Sequence, residues 1–167
     1  MSEPVKSQSG LSGVESFPGE LWIACIEGPA IPEVPGRLIY RNAGNIVERL
    51  DISCLAAIDM AIRKFGVRRI VVCGHDGCRC IEVEELSGIS GQWLIPAKRI
   101  DTVLKGSGKR DGGLHKRRLS ELNVIEQVCS VAGTSVVKEA LASGKPIEIV
   151  GLIFDAKTQE FLTVAAS

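Results

Sequence analysis

VVCGHDGCRC (71–80) holds three of the chain's six cysteines and one of its two histidines within ten positions. The run that leads into it, RRIVVCG (68–74), is continuously apolar after two arginines and stops at a glycine. That pattern belongs to a strand buried on both faces, as in a parallel sheet. His75 and Cys78 fall just past its end. Functional groups in open parallel sheets gather beyond the carboxyl ends of the strands. The HDGC turn is therefore placed to present donors to an ion, and any further donor should come from the end of a neighbouring strand.

Working outward, LWIACI (21–26) and GRLIY (36–40) read as two more strands. From Asp51 the period changes. Leu50, Cys54, Leu55, Ile58, Ile62 and Phe65 recur at helical spacing, with Asp51 or Ser53 as cap and Gly66 as stop. Residues 81–118 are less patterned, although GQWLIPAKRIDTVL fits a helix around Pro96. LSELNVIEQVCSVAG (119–133) carries Leu122, Ile125, Val128 and Cys129 on one face. TSVVKEALASG (134–144) is a further capped helix, and IEIVGLIF (147–154) with FLTV (161–164) forms a terminal hairpin. This alternation predicts an α/β fold: a mostly parallel β-sheet flanked by helices, with an antiparallel edge strand near the C-terminus. Residues 1–20, rich in Ser, Gly and Pro, read as a flexible or interface arm, and 21–167 as a single domain.

Twenty basic and twenty acidic side chains cancel. A balanced chain lacks the electrostatic footprint of a nucleic-acid or membrane-surface binder. KGSGKRDGGLHKRR (105–118) departs from this balance, with six basic residues against one acid. It reads either as a solvated glycine-rich loop or as an anion-attracting patch. No stretch approaches the ~20 apolar residues of a membrane span. The polar start has no signal-peptide core, so a cytoplasmic location is expected. In that reducing setting the cysteines are free thiols or metal ligands rather than a disulfide framework.

The strand ending in Cys25 connects through the helix at 51–65 to the strand ending at Gly74, so the two ends can be neighbours. Cys25, His75 and Cys78 then make a Cys2His set. Zinc favours thiolate sulfur and imidazole nitrogen, and accepts three protein donors plus one more group. Gly74 and Gly77 give the H-x-x-C turn backbone freedom. Against this, a buried cysteine is often only a small apolar filler. Cys54, Cys73 and Cys129 read as such fillers, and taken singly Cys25 or His75 fits either role.

Three ordered stretches decide between the readings: CIEGPAIPE (25–33), RNAGN (41–45) and CGHDGC (73–78). Together with GQWLIPAKRI, LSELNVIEQV and IEIVGLIFD, they make residues 20–165 resemble the β-class carbonic anhydrases. That family carries C-x-D-x-R, R-N-x-x-N and C-G-H-x-x-C in the same order. The resemblance implies Zn2+ held by Cys25, His75 and Cys78, and reversible hydration of CO2 to bicarbonate by a zinc-bound hydroxide. It also implies a homodimer or higher homo-oligomer, with the N-terminal segment embracing a neighbouring subunit.

The match breaks at one place. The family's C-x-D-x-R pairs an Asp, which orients the water, with an Arg that keeps that Asp off the metal. Here Glu27 and Pro29 stand instead, and proline forms no salt bridge. Three arrangements for Glu27 stay open: fourth zinc ligand in a closed site, acceptor for the water with Arg79 or Arg41 as its cation, or exposure to solvent. Arg79 either enters the pocket in this way or faces solvent. Cys80 is either a spare thiol beside the metal or packing. The corresponding functions are CO2 hydration, hydrolysis of carbonyl sulfide or carbon disulfide by the same zinc chemistry, and a catalytically silent zinc-binding homologue.

Overall fold

A computed structural model describes residues 19–82, 87–106 and 112–166. Most of the arm at 1–20 and the centre of the basic stretch lie outside the described residues. Five strands form one sheet in the order β2-β1-β3-β4-β5. They are β1 (Glu20–Cys25), β2 (Arg37–Asn42), β3 (Arg69–His75), β4 (Glu148–Asp155) and β5 (Glu160–Ala166). The first four run parallel, and only β5 is antiparallel to its neighbour β4. The α/β architecture expected from the alternation of apolar runs is the one observed.

The helices are α1 (Ile52–Arg63), α2 (Gly88–Trp93), α3 (Ile95–Gly106), α4 (Gly112–Ala132) and α5 (Ser135–Ala142). Asp51 caps α1, its carboxylate accepting from the N–H groups of Ser53 at 3.0 Å and Cys54 at 3.2 Å. Asp51→Ala therefore lowers stability by about 1 kcal/mol. The test is a lower denaturation midpoint at unchanged denaturant slope. Pro96 sits in the first turn of α3, where its missing N–H costs nothing.

One face of the sheet buries Leu21, Ile23, Ile70, Val72, Ile149 and Ile153 together with residues of α1, α4 and α5. The other buries Trp22, Ala24, Val71, Cys73, Val150 and Leu152. Strands buried on both faces explain the unbroken apolar runs. The parallel step from β1 to β2 carries no helix. Its connection, residues 26–36, tucks Ile31 against the second face and leaves Glu27 and Gly28 at the rim of the sheet.

Several sequence expectations are corrected. Leu50 and Phe65 are exposed rather than part of α1's buried face, because the helix starts after Leu50 and ends before Phe65. On α4 the buried stripe runs through Leu119, Asn123, Val124, Gln127, Val128 and Val131. Cys129, read as a core filler, is exposed, and Leu122 and Ile125 are only half-buried. Two buried amides, Asn123 and Gln127, rotate the stripe away from the purely apolar one. The described part of the basic stretch is helical, and its basic groups pair with acids from outside the stretch. Lys105 pairs with Asp101 (2.6 Å), Lys116 with Glu82 (2.8 Å), Arg117 with Asp155 (2.9 Å) and Arg118 with Glu121 (3.2 Å).

Candidate metal centre

Parallel register sets Ala24 of β1 opposite Cys73 of β3, so Cys25 and the Gly74–His75 end of β3 emerge side by side. Beyond β3 the chain turns through Gly77, at φ +65°, a left-handed conformation that favours glycine, and returns Cys78 toward Cys25. One ligand atom from each of Cys25, His75 and Cys78 lies within 4.8 Å of the others. The two sulfurs are 3.6 Å apart. All three side chains are buried, Cys25 completely.

The donor chemistry fits a thiophilic divalent ion. His75 Nδ1 lies 3.3 Å from the Asp76 carbonyl, which leaves Nε2 buried without a hydrogen-bond partner. A buried orphan nitrogen is costly unless something else meets it, and a ligating imidazole commonly donates its other N–H to a carbonyl. Cys25 Sγ accepts from the backbone N–H groups of Glu27 and Gly44, both at 3.4 Å. The hydrogen bond from Cys78, then the neighbouring His75 imidazole and these two amides, hold the Cys25 thiol far below its ordinary range despite burial. Cys78, facing that thiolate in a desolvated site, is pushed up. Burial alone would lower His75, but the Cys25 thiolate reverses this and its pKa is raised. Cys73, by contrast, is pushed up to about 12 by burial and belongs to the core.

The loop after β2 completes the cradle. Gly44 lies in the 3₁₀ turn Ala43–Asn45 at φ +77°. A Cβ there would stand 2.7 Å from Ile81 Cγ2. Three side chains that sequence reasoning passed over hold this loop. Asn123 Nδ2 donates to the Gly44 carbonyl at 2.9 Å, and Trp93 Nε1 to the Ala43 carbonyl at 2.8 Å. Gln127 Oε1 accepts from the Val47 N–H at 2.9 Å. The available signal was an amide pair spaced i, i+4 inside an otherwise apolar helix stripe.

Arg41 is not the cation of Glu27. Its guanidinium donates to the Cys25 carbonyl at 2.6 Å and the Pro29 carbonyl at 2.8 Å, fastening the 25–29 loop to β2. Glu27 is instead engaged by Arg79. Its carboxylate accepts from the Arg79 backbone N–H at 2.9 Å and from the guanidinium Nε. Arg79 does so from an exposed position, its side chain 81% accessible, so it both faces solvent and meets Glu27. Burial tends to raise the Glu27 carboxyl, but the Arg79 hydrogen bonds and charge bring it below its usual value. Glu27 is absent from the Cys25–His75–Cys78 group and converges with Cys78 and Cys80.

Comparison with known proteins agrees with this arrangement. The family model described as carbonic anhydrase matches residues 21–161. A carbonic anhydrase of Candida albicans is 31% identical over 89% of this chain and 57% of its own length. The chain thus spans little more than half of that curated relative. A tetrameric β-carbonic anhydrase of the ascomycete Sordaria macrospora superposes with a TM-score of 0.77 at 27% identity, covering 90% of this chain and 82% of that one. The β-carbonic anhydrase CafD of Aspergillus fumigatus gives a TM-score of 0.72 at 29% identity, covering 97% and 94%. With three sequence motifs, the sheet order and the Cys/His/Cys convergence all in agreement, the chain belongs to the β-class carbonic anhydrase family.

Proposed function

We propose that the chain catalyses reversible hydration of CO2 to bicarbonate, with Cys25 Sγ, His75 Nε2 and Cys78 Sγ holding a zinc ion. The observation that carries this is the meeting of two sulfurs and an otherwise partnerless imidazole nitrogen at the ends of β1 and β3. Zinc bound there supplies Lewis acidity that makes water nucleophilic near neutral pH. The chain's own residues do the rest. Glu27 orients the attacking water by accepting its hydrogen bond. Arg79 substitutes for the cation lost at Pro29, keeping the Glu27 carboxylate from closing the site as a fourth ligand. Arg41, Asn123 and Trp93 fix the two loops that frame the sulfurs.

The same reading takes the chain as a homo-oligomer, like the tetrameric relative from Sordaria macrospora. Residues 1–20 then serve as the interface arm of a single domain at 21–167. No helix among the described residues is long and apolar enough to cross a membrane. All six cysteines are free, which accords with a reducing cytoplasm.

Stopped-flow proton release on mixing CO2 with buffered protein tests the activity. Chelation should abolish the signal and zinc should restore it. Zinc-loaded protein that releases sulfide from carbonyl sulfide but leaves CO2 untouched would favour the sulfur-analogue reading. Full zinc with neither reaction would favour the silent one. Glu27→Gln should keep the metal and lower kcat/KM by about 10- to 100-fold, the range seen for outer partners of metal sites. Arg79→Ala should keep the metal and cost only about fivefold, because an exposed ion pair is weak.

A further inference from the structure

The proposed reaction gives no task to Cys80, which with Arg79 directly follows the candidate ligand Cys78. Both residues lie in a 3₁₀ turn, Arg79–Ile81. Cys80 is half-buried there, packed with Ile100 and Leu104 against the cluster that contains Cys25 and Cys78. One ligand atom from each of Glu27, Cys78 and Cys80 lies within 4.8 Å of the others. Cys78 belongs both to this set and to the Cys25–His75–Cys78 set.

We infer that Glu27, Cys78 and Cys80 form a second metal subsite that takes a thiophilic divalent cation, with the Cys78 sulfur shared between the two ions. Two sulfurs and one carboxylate oxygen suit Zn2+ or Cd2+ and disfavour Mg2+ or Ca2+, which require oxygen donors. A thiolate has lone pairs enough to serve two cations. Charge closes in both states. With one ion, the Cys25 and Cys78 thiolates balance the cation, Cys80 remains a neutral thiol, and Glu27 is balanced by Arg79. With two ions, three thiolates and the Glu27 carboxylate balance both cations, Cys80 releases its proton to solvent, and the Arg79 guanidinium is displaced from Glu27 Oε1. Displacement is easy because Arg79 is 81% exposed and returns to water. Arg79 thus competes with the second ion for Glu27. Filling the subsite takes up the Glu27 oxygen that would otherwise accept from water, so excess metal slows CO2 hydration.

The inference rests on the Cys25–His75–Cys78 reading for the first ion only. Native mass spectrometry of the full, reduced chain titrated with Cd2+ tests it, supported by 113Cd resonance spectra. Wild-type protein should take two ions per chain and give two cadmium resonances in the thiolate region. Cys80→Ser should keep the first ion and weaken the second by more than about 100-fold, beyond the loss expected from an outer partner. Arg79→Ala should tighten the second ion about two- to fivefold by removing its competitor, a gain that a merely destabilised protein would not show. Saturation at one ion per chain in excess cadmium would overturn the second subsite and leave the first intact. So would a second ion indifferent to Cys80→Ser. Uptake of no ion at all would overturn this inference and the proposed function together.

Discussion

Cys25→Ser removes stoichiometric zinc and lowers CO2 hydration by about 10³-fold or more. Several kcal/mol of barrier lowering depend on a bound metal, and each 1.36 kcal/mol is tenfold in rate. Serine is nearly the same size, so the core around β1 survives, but its hydroxyl is a poor donor for zinc at neutral pH. The N–H groups of Glu27 and Gly44 would then point at a weak acceptor instead of a thiolate. Metal analysis and stopped-flow assays on the folded variant check the result. Retention of both zinc and activity would remove the ligand assignment.

Metal affinity should also fall as pH falls. Zinc needs neutral imidazole and ionised sulfur, so protons compete with it. His75 and Cys78 both have raised pKa values, His75 through the Cys25 thiolate and Cys78 through its hydrogen bond to Cys25. A raised pKa brings that competition in at higher pH. Zinc uptake is therefore accompanied by proton release from His75 and Cys78, while Cys25, held low, gives up none near neutral pH. Isothermal titration in buffers of different ionisation enthalpy measures that release.

Glu20→Ala is expected to give the largest loss of stability. Glu20 is fully buried at the start of β1. Its carboxylate accepts from Arg37 Nε at 2.9 Å and Trp22 Nε1 at 2.9 Å, and Arg69 Nη1 lies 3.7 Å away. The Arg37 side chain is itself only 2% accessible and stacks over the Trp22 ring at 4.8 Å. Without the carboxylate, the Arg37 guanidinium keeps, among the described residues, the Pro32 carbonyl at 2.9 Å and stays buried with its charge uncompensated. Breaking a buried pair on one side costs about 3–5 kcal/mol. For a domain of this size that is a fall in Tm of roughly 6–20 °C. Glu20→Gln keeps the acceptor and loses only the charge, so it should fall between. An alanine variant melting within a degree or two of wild type would show that Arg37 escapes to solvent.

The mostly parallel sheet and the three converging donors were legible because each depends on a short stretch. Continuous apolar runs mark strands buried on both faces, and the groups just past their ends must meet if those strands are neighbours. Leu50, Phe65 and Cys129 misled because helical periodicity does not say where a helix begins. Nor does it show which face a buried amide pair will turn inward. Asn123 and Gln127 became visible only once α4 lay across the loop at Ala43–Asn45.

By itself the sequence determined which residues have ligand chemistry and that Pro29 cannot supply the cation usual at its position. Only the tertiary structure decided who answers for it. Arg79 is 52 residues from Glu27 along the chain, and the two meet because parallel β1 and β3 end at the same edge of the sheet. Arg41, just as basic and equally available on paper, is spent on two loop carbonyls. Pairing between side chains distant in sequence depends on strand register and loop path, and neither is written in local composition.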